Sequence, residues 1–115
     1  MDKFSALSDP TRRKIIEMLA SNGPMSASDI CEQFKVSPPA ISQHLKALRE
    51  ADLVQMEKQA QQRIYQLNPD GMHELEDWAK SLLQLWDQRF DALDALLERE
   101  KRNESQNPIR KDNSL

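Results

Sequence analysis

Apolar positions recur along the chain in two rhythms, and the change between them marks out its elements. The segment Phe4-Ser5-Ala6-Leu7 is short and amphipathic, and Ser8-Asp9-Pro10 interrupts it. Asp9 before Pro10 predicts a helix start, because an N-cap oxygen precedes a proline whose missing N–H the first turn does not need. Ile15, Ile16, Met18 and Leu19 follow at helical spacing, and Asn22-Gly23-Pro24 stops the helix. A third helix is predicted from near Ser26 or Ala27 to Lys35, with Ile30, Cys31 and Phe34 inside. After a short turn at Val36-Ser37, Ser37 caps a fourth helix from Pro38 to Ala51. Pro38 and Pro39 lie in its first turn, and Ile41, Leu45 and Leu48 form one stripe. The period then changes. Leu53, Val54 and Met56 precede Ile64, Tyr65 and Leu67 around the polar stretch 57–62, which predicts a β-hairpin. Its tip, Lys58-Gln59-Ala60-Gln61-Gln62, lacks glycine and leaves the turn type open. Asn68-Pro69-Asp70-Gly71 breaks the second strand. A long helix from Met72 to Arg102 is predicted from Leu75, Trp78, Leu82, Leu85, Trp86, Phe90, Leu93, Ala95, Leu96 and Leu97.

These elements predict a mainly α fold with a small β-hairpin, a winged helix-turn-helix carrying a long C-terminal dimerisation helix. The expected divisions are a winged helix-turn-helix DNA-binding domain over 1–68, the long dimerisation helix of the same domain over 69–102 and a disordered polar tail over 103–115. The helix-turn-helix pair is Ala27–Lys35 and Pro38–Ala51, and the hairpin is the wing.

Composition narrows the chemistry. One cysteine, Cys31, excludes a disulfide or a multi-cysteine metal cluster within the chain. Two glycines exclude a glycine-rich phosphate cradle. With two distant histidines and no paired acid–base cluster, an enzyme is not expected. No 18-residue apolar run offers a membrane span, and the first residues show no charged-then-apolar signal, so the cytoplasm is the expected compartment. The net charge of −3 is unevenly divided. Residues 1–68 hold nine basic and eight acidic side chains, and residues 69–115 hold seven and eleven. No acidic residue lies between Val36 and Arg49, a span that contains His44, Lys46 and Arg49. Local charge outweighs the global sum within a Debye length of roughly 8–10 Å.

The second helix of such a pair enters the DNA major groove. With Ile41, Leu45 and Leu48 inward, Ala40, Ser42, Gln43, Lys46 and Arg49 face out. Gln43 suits a bidentate pair with adenine, Ser42 gives and accepts hydrogen bonds, Ala40 suits a thymine methyl, and Lys46 and Arg49 suit phosphates. Ser37 and Pro39 open the same helix. His44 flanks the apolar stripe and reads either as a phosphate contact or as a packed side chain. The wing offers Lys58, Gln61, Gln62 and Arg63. Arg12-Arg13 reads either as a phosphate contact or, more readily, as a partner for acidic groups of its own domain.

Four blocks in order make the chain resemble the ArsR-type family of bacterial winged-helix repressors. They are Phe4-Ser5-Ala6-Leu7-Ser8-Asp9-Pro10-Thr11-Arg12-Arg13, Ile15-Ile16-Glu17-Met18-Leu19, Ser37-Pro38-Pro39-Ala40-Ile41-Ser42-Gln43-His44-Leu45-Lys46-Ala47-Leu48 and Ala51-Asp52-Leu53-Val54. The resemblance covers about residues 4–67. It implies a cytoplasmic homodimer that represses transcription on an inverted repeat, with helix 38–51 reading double-stranded DNA and the terminal helices forming the dimer. Metal-sensing members carry a Cys-Val-Cys-Asp-Leu-like stretch where this chain has Ser26-Ala27-Ser28-Asp29-Ile30, so that soft-metal site is absent. Other members bind zinc on the last helix. Here Asp70, His73 and Glu74 stand without a second histidine and read as a solvated helix end. No metal and no cofactor is expected, and Cys31 reads as a buried thiol.

The apolar face of the last helix needs a cover. The same helix, or the first helix, of a second subunit fits, with Phe4, Leu7, Trp78, Leu82, Leu85, Trp86, Phe90, Leu93 and Leu97 as the interface. Two reading helices would then lie about one DNA turn, ~34 Å, apart. The sequence thus predicts a homodimeric repressor. A ligand-, metal- or thiol-responsive sensor of the same fold, or a winged helix used for protein interaction, are the alternatives; the inducer is not legible.

Overall fold

The structure, a computed structural model, describes residues 1–103 in full and the backbone of 104–106. Its elements are α1 (Lys3–Ala6), α2 (Pro10–Asn22), β1 (Met25–Ser26), α3 (Ala27–Glu32), α4 (Pro38–Glu50), β2 (Val54–Gln59), β3 (Gln62–Leu67) and α5 (Pro69–Gln106). Residues 1–77 form one compact unit, and the described residues from Trp78 onward form a second.

Caps set the helix starts. Asp2 accepts the Ser5 N–H at 2.7 Å, Asp9 the Arg12 N–H at 3.1 Å, Ser26 the Asp29 N–H at 3.1 Å and Ser37 the Ala40 N–H at 3.3 Å. Each satisfies a first-turn donor that the helix itself cannot. Gly23 ends α2 at a φ of 77°, returning its N–H to the Leu19 carbonyl at 2.9 Å. Ala6, Ile15, Leu19, Ile30, Ile41, Leu45, Leu48, Leu53, Val54 and Tyr65 make the core.

Helix α4 ends in a Schellman turn. The Leu53 N–H reaches the Leu48 carbonyl and the Asp52 N–H the Arg49 carbonyl, both at 3.0 Å. Asp52 takes a φ of 59°, the left-handed position that glycine usually fills. Its carbonyl packs directly on Gly71 in the first turn of α5; a Cβ there would lie 1.8 Å from the Asp52 oxygen.

Several boundaries differ from the sequence expectation. Helix α3 stops at Glu32, short of Lys35, because the Gln33 and Phe34 N–H groups close tight i→i+3 bonds to the Ile30 and Cys31 carbonyls. Of its expected inner face only Ile30 is fully buried; Cys31 and Phe34 are half-buried against the core. The sheet has three strands rather than a hairpin alone. β1 pairs antiparallel with β3, Met25 opposite Tyr65 and Ser26 opposite Ile64. Two residues show no period, so the pattern could not reveal that strand. Helix α5 starts at Pro69, not Met72, because Asn68 caps it through the Asp70 N–H at 3.2 Å. Its first two turns join the first unit: Gly71 is buried, and Met72 and Leu75 pack against the core. The first compact unit therefore runs on to Asp77. Helix α5 also extends to Gln106, four residues into the stretch expected to be disordered; residues 107–115 lie outside the described residues.

Candidate nucleic-acid interface

The core dictates which face α4 presents. Ile41, Leu45 and Leu48 are buried at spacings of four and three, so Ser42, Gln43, Lys46 and Arg49 point outward, and all four are exposed. Ser37 and Pro39 are exposed at the helix start, the Ser37 hydroxyl already accepting the Ala40 N–H, and Ala40 is half-buried.

Strand alternation aims the wing. The register Val54↔Leu67, Met56↔Tyr65 and Lys58↔Arg63 puts these six residues on one face of the hairpin. That face begins buried at Val54, passes buried Tyr65 and ends exposed at Lys58 and Arg63. Lys58 and Arg63 are thus like charges directly opposite each other, an arrangement that costs stability unless an anion joins them. Neither has a carboxylate within 4.0 Å among the described residues. Ile64 lies on the other face, half-buried, and Gln62 shares that face, exposed. Both Lys58 and Gln62 belong to strands, and the loop is only Ala60-Gln61, with Ala60 at a φ of 54°.

Helix and wing meet in a concavity lined by Ser42, Gln43, Lys46, Arg49, Glu50, Arg63 and Tyr65. It brings together five residues expected to contact DNA and adds two, Glu50 and Tyr65, that sequence reasoning missed. Glu50 is the one acidic member, and Lys46 Nζ lies 4.0 Å from its Oε1. Helical spacing of four from Lys46 was the signal that could have found it.

A second recess lies along the other side of α4, lined by Met1, Arg12, Gln43, His44, Lys46, Ala47 and Glu50. His44 is half-buried, with Nδ1 3.9 Å from Asp9 Oδ2, so its ring faces the start of α2. The Arg12 N–H, aided by His44, holds the Asp9 carboxyl below its ordinary range. Arg12 makes no ion pair within 4.0 Å among the described residues, but its charge also helps hold the Asp9 carboxyl low, so the expected acidic partner is present at longer range. Arg12 Nη1 meets Met1 Sδ at 3.3 Å, and its Nε is buried without a partner. Arg13 is exposed.

The residues weighed for metal chemistry are dispersed. Asp70 and His73 are exposed at the start of α5, and His73 Nδ1 lies 3.3 Å from Glu76 Oε1. Cys31 is half-buried on α3.

Of the expected dimer residues, Leu7 packs against its own core, whereas Phe4 is 51% exposed. In the second unit Trp78, Leu82, Leu85, Trp86, Phe90, Leu93 and Leu97 are all exposed, as are Leu83 and Leu96, which widen the face. Trp86 and Phe90 stack edge to face, ring centroids 5.1 Å apart.

A helix-turn-helix whose second helix opens onto a β-wing defines a winged helix-turn-helix regulator. Residues 9–56, from the α2 cap into β2, match the family described as bacterial regulatory protein, arsR family. The chain is 41% identical over 75 residues to the transcriptional repressor SdpR of Bacillus subtilis (strain 168), covering 65% of this chain and 82% of that protein. It is 38% identical over 82 residues to the arsenical resistance operon repressor of Staphylococcus xylosus, covering 71% and 74%. A solved ArsR-like transcriptional regulator from Rhodococcus sp. RHA1 superposes with a TM-score of 0.70 at 30% identity, over 81% of this chain and 87% of that one. The chain belongs to the ArsR family of bacterial regulatory proteins and is a DNA-binding transcriptional regulator.

Proposed function

We propose that the chain is a cytoplasmic homodimeric repressor that binds an inverted-repeat operator, each protomer laying α4 in a major groove and its wing along the adjoining backbone. The observation that carries this reading is the shared concavity of α4 and β3. Side chains able to read base edges, Ser42 and Gln43, stand beside cations from two elements, Lys46, Arg49 and Arg63. Base contacts specify and phosphate contacts position, and this surface offers both. Ser37, Pro39 and Ala40 lie at the end of α4 that enters the groove first, and Lys58 joins Arg63 on the wing. His44, turned toward Asp9, supports the helix rather than the DNA.

The α5 face supports the dimer. Nine large apolar side chains from Trp78 to Leu97 are each 46–61% exposed on one helix. Full burial of such a side chain contributes about 1.5–3 kcal/mol. A shallow apolar recess lined by Trp86, Arg89, Phe90 and Leu93 gives the partner helix a seat. Ser26 and Ser28 stand where metal-sensing relatives carry cysteines, and Cys31 alone does not make a thiolate pair, which favours a repressor that does not sense a soft metal through α3.

Selection of bound sequences from a random duplex pool tests this reading. A two-fold symmetric site with half-sites about one DNA turn apart is expected, together with a two-protomer mass in solution. A monomeric mass, or a pool that never departs from random, would refute it.

A further inference from the structure

The two recesses flank one ridge. Gln43, Lys46 and Glu50 border both; Arg63 closes the wing side and Arg12 the α2 side. A helix in the major groove has a phosphate backbone on each side, across a groove about 12 Å wide. Arg63 and Lys58 answer one backbone. On the other side the Arg12 guanidinium is left incomplete. Its Nε is shut off from solvent with no acceptor, and Nη1 has only a thioether sulfur, a weak acceptor, at 3.3 Å. Asp9 Oδ2 accepts the Arg12 main-chain N–H at 3.1 Å, with His44 at 3.9 Å, and feels the Arg12 charge only at a distance, without a hydrogen bond to the guanidinium. Glu50, on the far wall, lies by Lys46 at 4.0 Å. Among the described residues no carboxylate comes within 4.0 Å of the Arg12 guanidinium. A charged group with a buried, unsatisfied donor is costly unless a ligand completes it.

We infer that Arg12 is a phosphate clamp, holding a DNA phosphodiester in the α2-side recess, on the strand opposite the one the wing touches. The proposal rests on the DNA-binding reading above and adds a named contact to it. Met1 Sδ stands where a phosphate oxygen would accept, and the Met1 side chain, in a residue 62% exposed, is free to yield. A guanidinium offers phosphate two parallel N–H donors, which a thioether cannot use. The clamp lies beside Gln43, so it would fix the register of the base pair that Gln43 reads.

The test compares wild type, Arg12→Gln and Arg12→Lys on a labelled duplex recovered from the pool selection and on a scrambled duplex of equal length, across a salt series. Arg12→Gln is expected to weaken both duplexes about tenfold and to flatten the slope of log K against log salt by about 1 per protomer. Arg12→Lys should keep the slope while losing part of the affinity. Replacing single phosphates by neutral methylphosphonates should reveal one position per half-site that weakens wild type but not Arg12→Gln. Thermal unfolding checks that each variant is folded; if Arg12→Gln is not, the slope of Arg12→Lys and the methylphosphonate scan on wild type decide. An unchanged slope and affinity in folded Arg12→Gln overturns the clamp. So does a loss of affinity with an unchanged slope, which would make Arg12 a support for α4. Failure of wild type to prefer the recovered duplex would instead strike the DNA-binding reading itself.

Discussion

Replacing Gly71 by alanine sets two effects of opposite sign against each other. Alanine favours a helix interior over glycine by about 1 kcal/mol, so on propensity alone the variant would be more stable. The added Cβ, however, would sit 1.8 Å from the Asp52 carbonyl oxygen and 2.9 Å from its carbon. Even a close C–H···O contact needs about 3.3 Å, so roughly 1.5 Å of movement is required. Neither side yields easily. Asp52 is held in the Schellman turn by two 3.0 Å hydrogen bonds, beside fully buried Leu53, and the Asn68 N–H ties the start of α5 to the Leu53 carbonyl at 3.0 Å. Lifting the first turns of α5 would forfeit the partial burial of Met72 and Leu75, about 1 kcal/mol each, and loosen the Lys3–Glu74 pair at 2.6 Å, half-buried at Lys3 and exposed at Glu74, worth at most about 1 kcal/mol. Opposing about 2–3 kcal/mol of loss with about 1 of gain leaves a net destabilisation of about 1–2 kcal/mol, within the usual range for overpacking. The thermal midpoint should fall by about 3–10 °C. Gly23→Ala is the contrast: nothing lies within 4 Å, but the φ of 77° remains, so backbone strain alone acts. A midpoint for Gly71→Ala equal to or above that of wild type would show that propensity governs and that α5 does not rest on the Asp52 carbonyl.

Three further outcomes are expected. Ala60→Gly should raise stability by about 0.5–1 kcal/mol in urea unfolding, because relief of left-handed strain of about 1–2 kcal/mol outweighs the greater freedom of glycine in the unfolded chain; a lower midpoint would contradict the φ of Ala60. Gln43→Ala should relax preference at one position per half-site by about 1–3 kcal/mol, read from a repeated pool selection, whereas an unchanged binding profile would remove Gln43 from base reading. Backbone N–H bonds, from Ser5 to Asp2 and from Arg12 to Asp9, depress both carboxyl pKa values below 3.8. A depressed acid binds its proton more readily when unfolded, so this stability is present above pH 3.8 and is lost as pH falls through the lower folded value. Asp9→Asn, which keeps a capping oxygen, should flatten that acid limb, and a limb of unchanged steepness would count against Asp9 as its source.

Local chemistry was legible wherever a cap or a stripe announced it. Asp9-Pro10 and Ser37-Pro38 were read as cap and first helical residue, and both helices begin there. Asn68-Pro69 carries the same signal, yet beside Gly71 it read as a strand break, and the start of α5 was set three residues late. The glycine misled because its reason is tertiary: it admits a carbonyl from a turn nineteen residues away. Strand β1 was invisible for a related cause, since two residues become a strand only when β3 lies beside them. The outward face of α4 was legible because its complement, Ile41, Leu45 and Leu48, is a strict helical stripe. Tyr65 was not, because only the meeting of helix and wing makes it a neighbour of Gln43, whereas Glu50 lay within reach of the helical spacing from Lys46.

An acidic chain can bind DNA if its cations are kept from its own carboxylates. Here the wing sets Lys58 opposite Arg63, and α2 leaves Arg12 against a thioether. Both arrangements cost stability in the isolated chain, and both are relieved by an anion. The acids in excess lie elsewhere in sequence, in residues 69–115, with eleven acidic against seven basic side chains. At ~8–10 Å of screening, charges farther off than a Debye length contribute little at the reading face. The net charge of −3 therefore opposes nonspecific adhesion to duplex at long range, while the local cations act once α4 is in the groove. That division favours discrimination over raw affinity. A net gain in charge far along the sequence from α4, as in a Glu98→Lys variant, should accordingly raise affinity for scrambled duplex at low salt more than it sharpens preference for the operator, and the two-duplex salt series measures both. Equal gains on both duplexes at every salt concentration would mean that the reading face and the distant charges act as one field, and the separation argued from Lys58, Arg63 and Arg12 would fail.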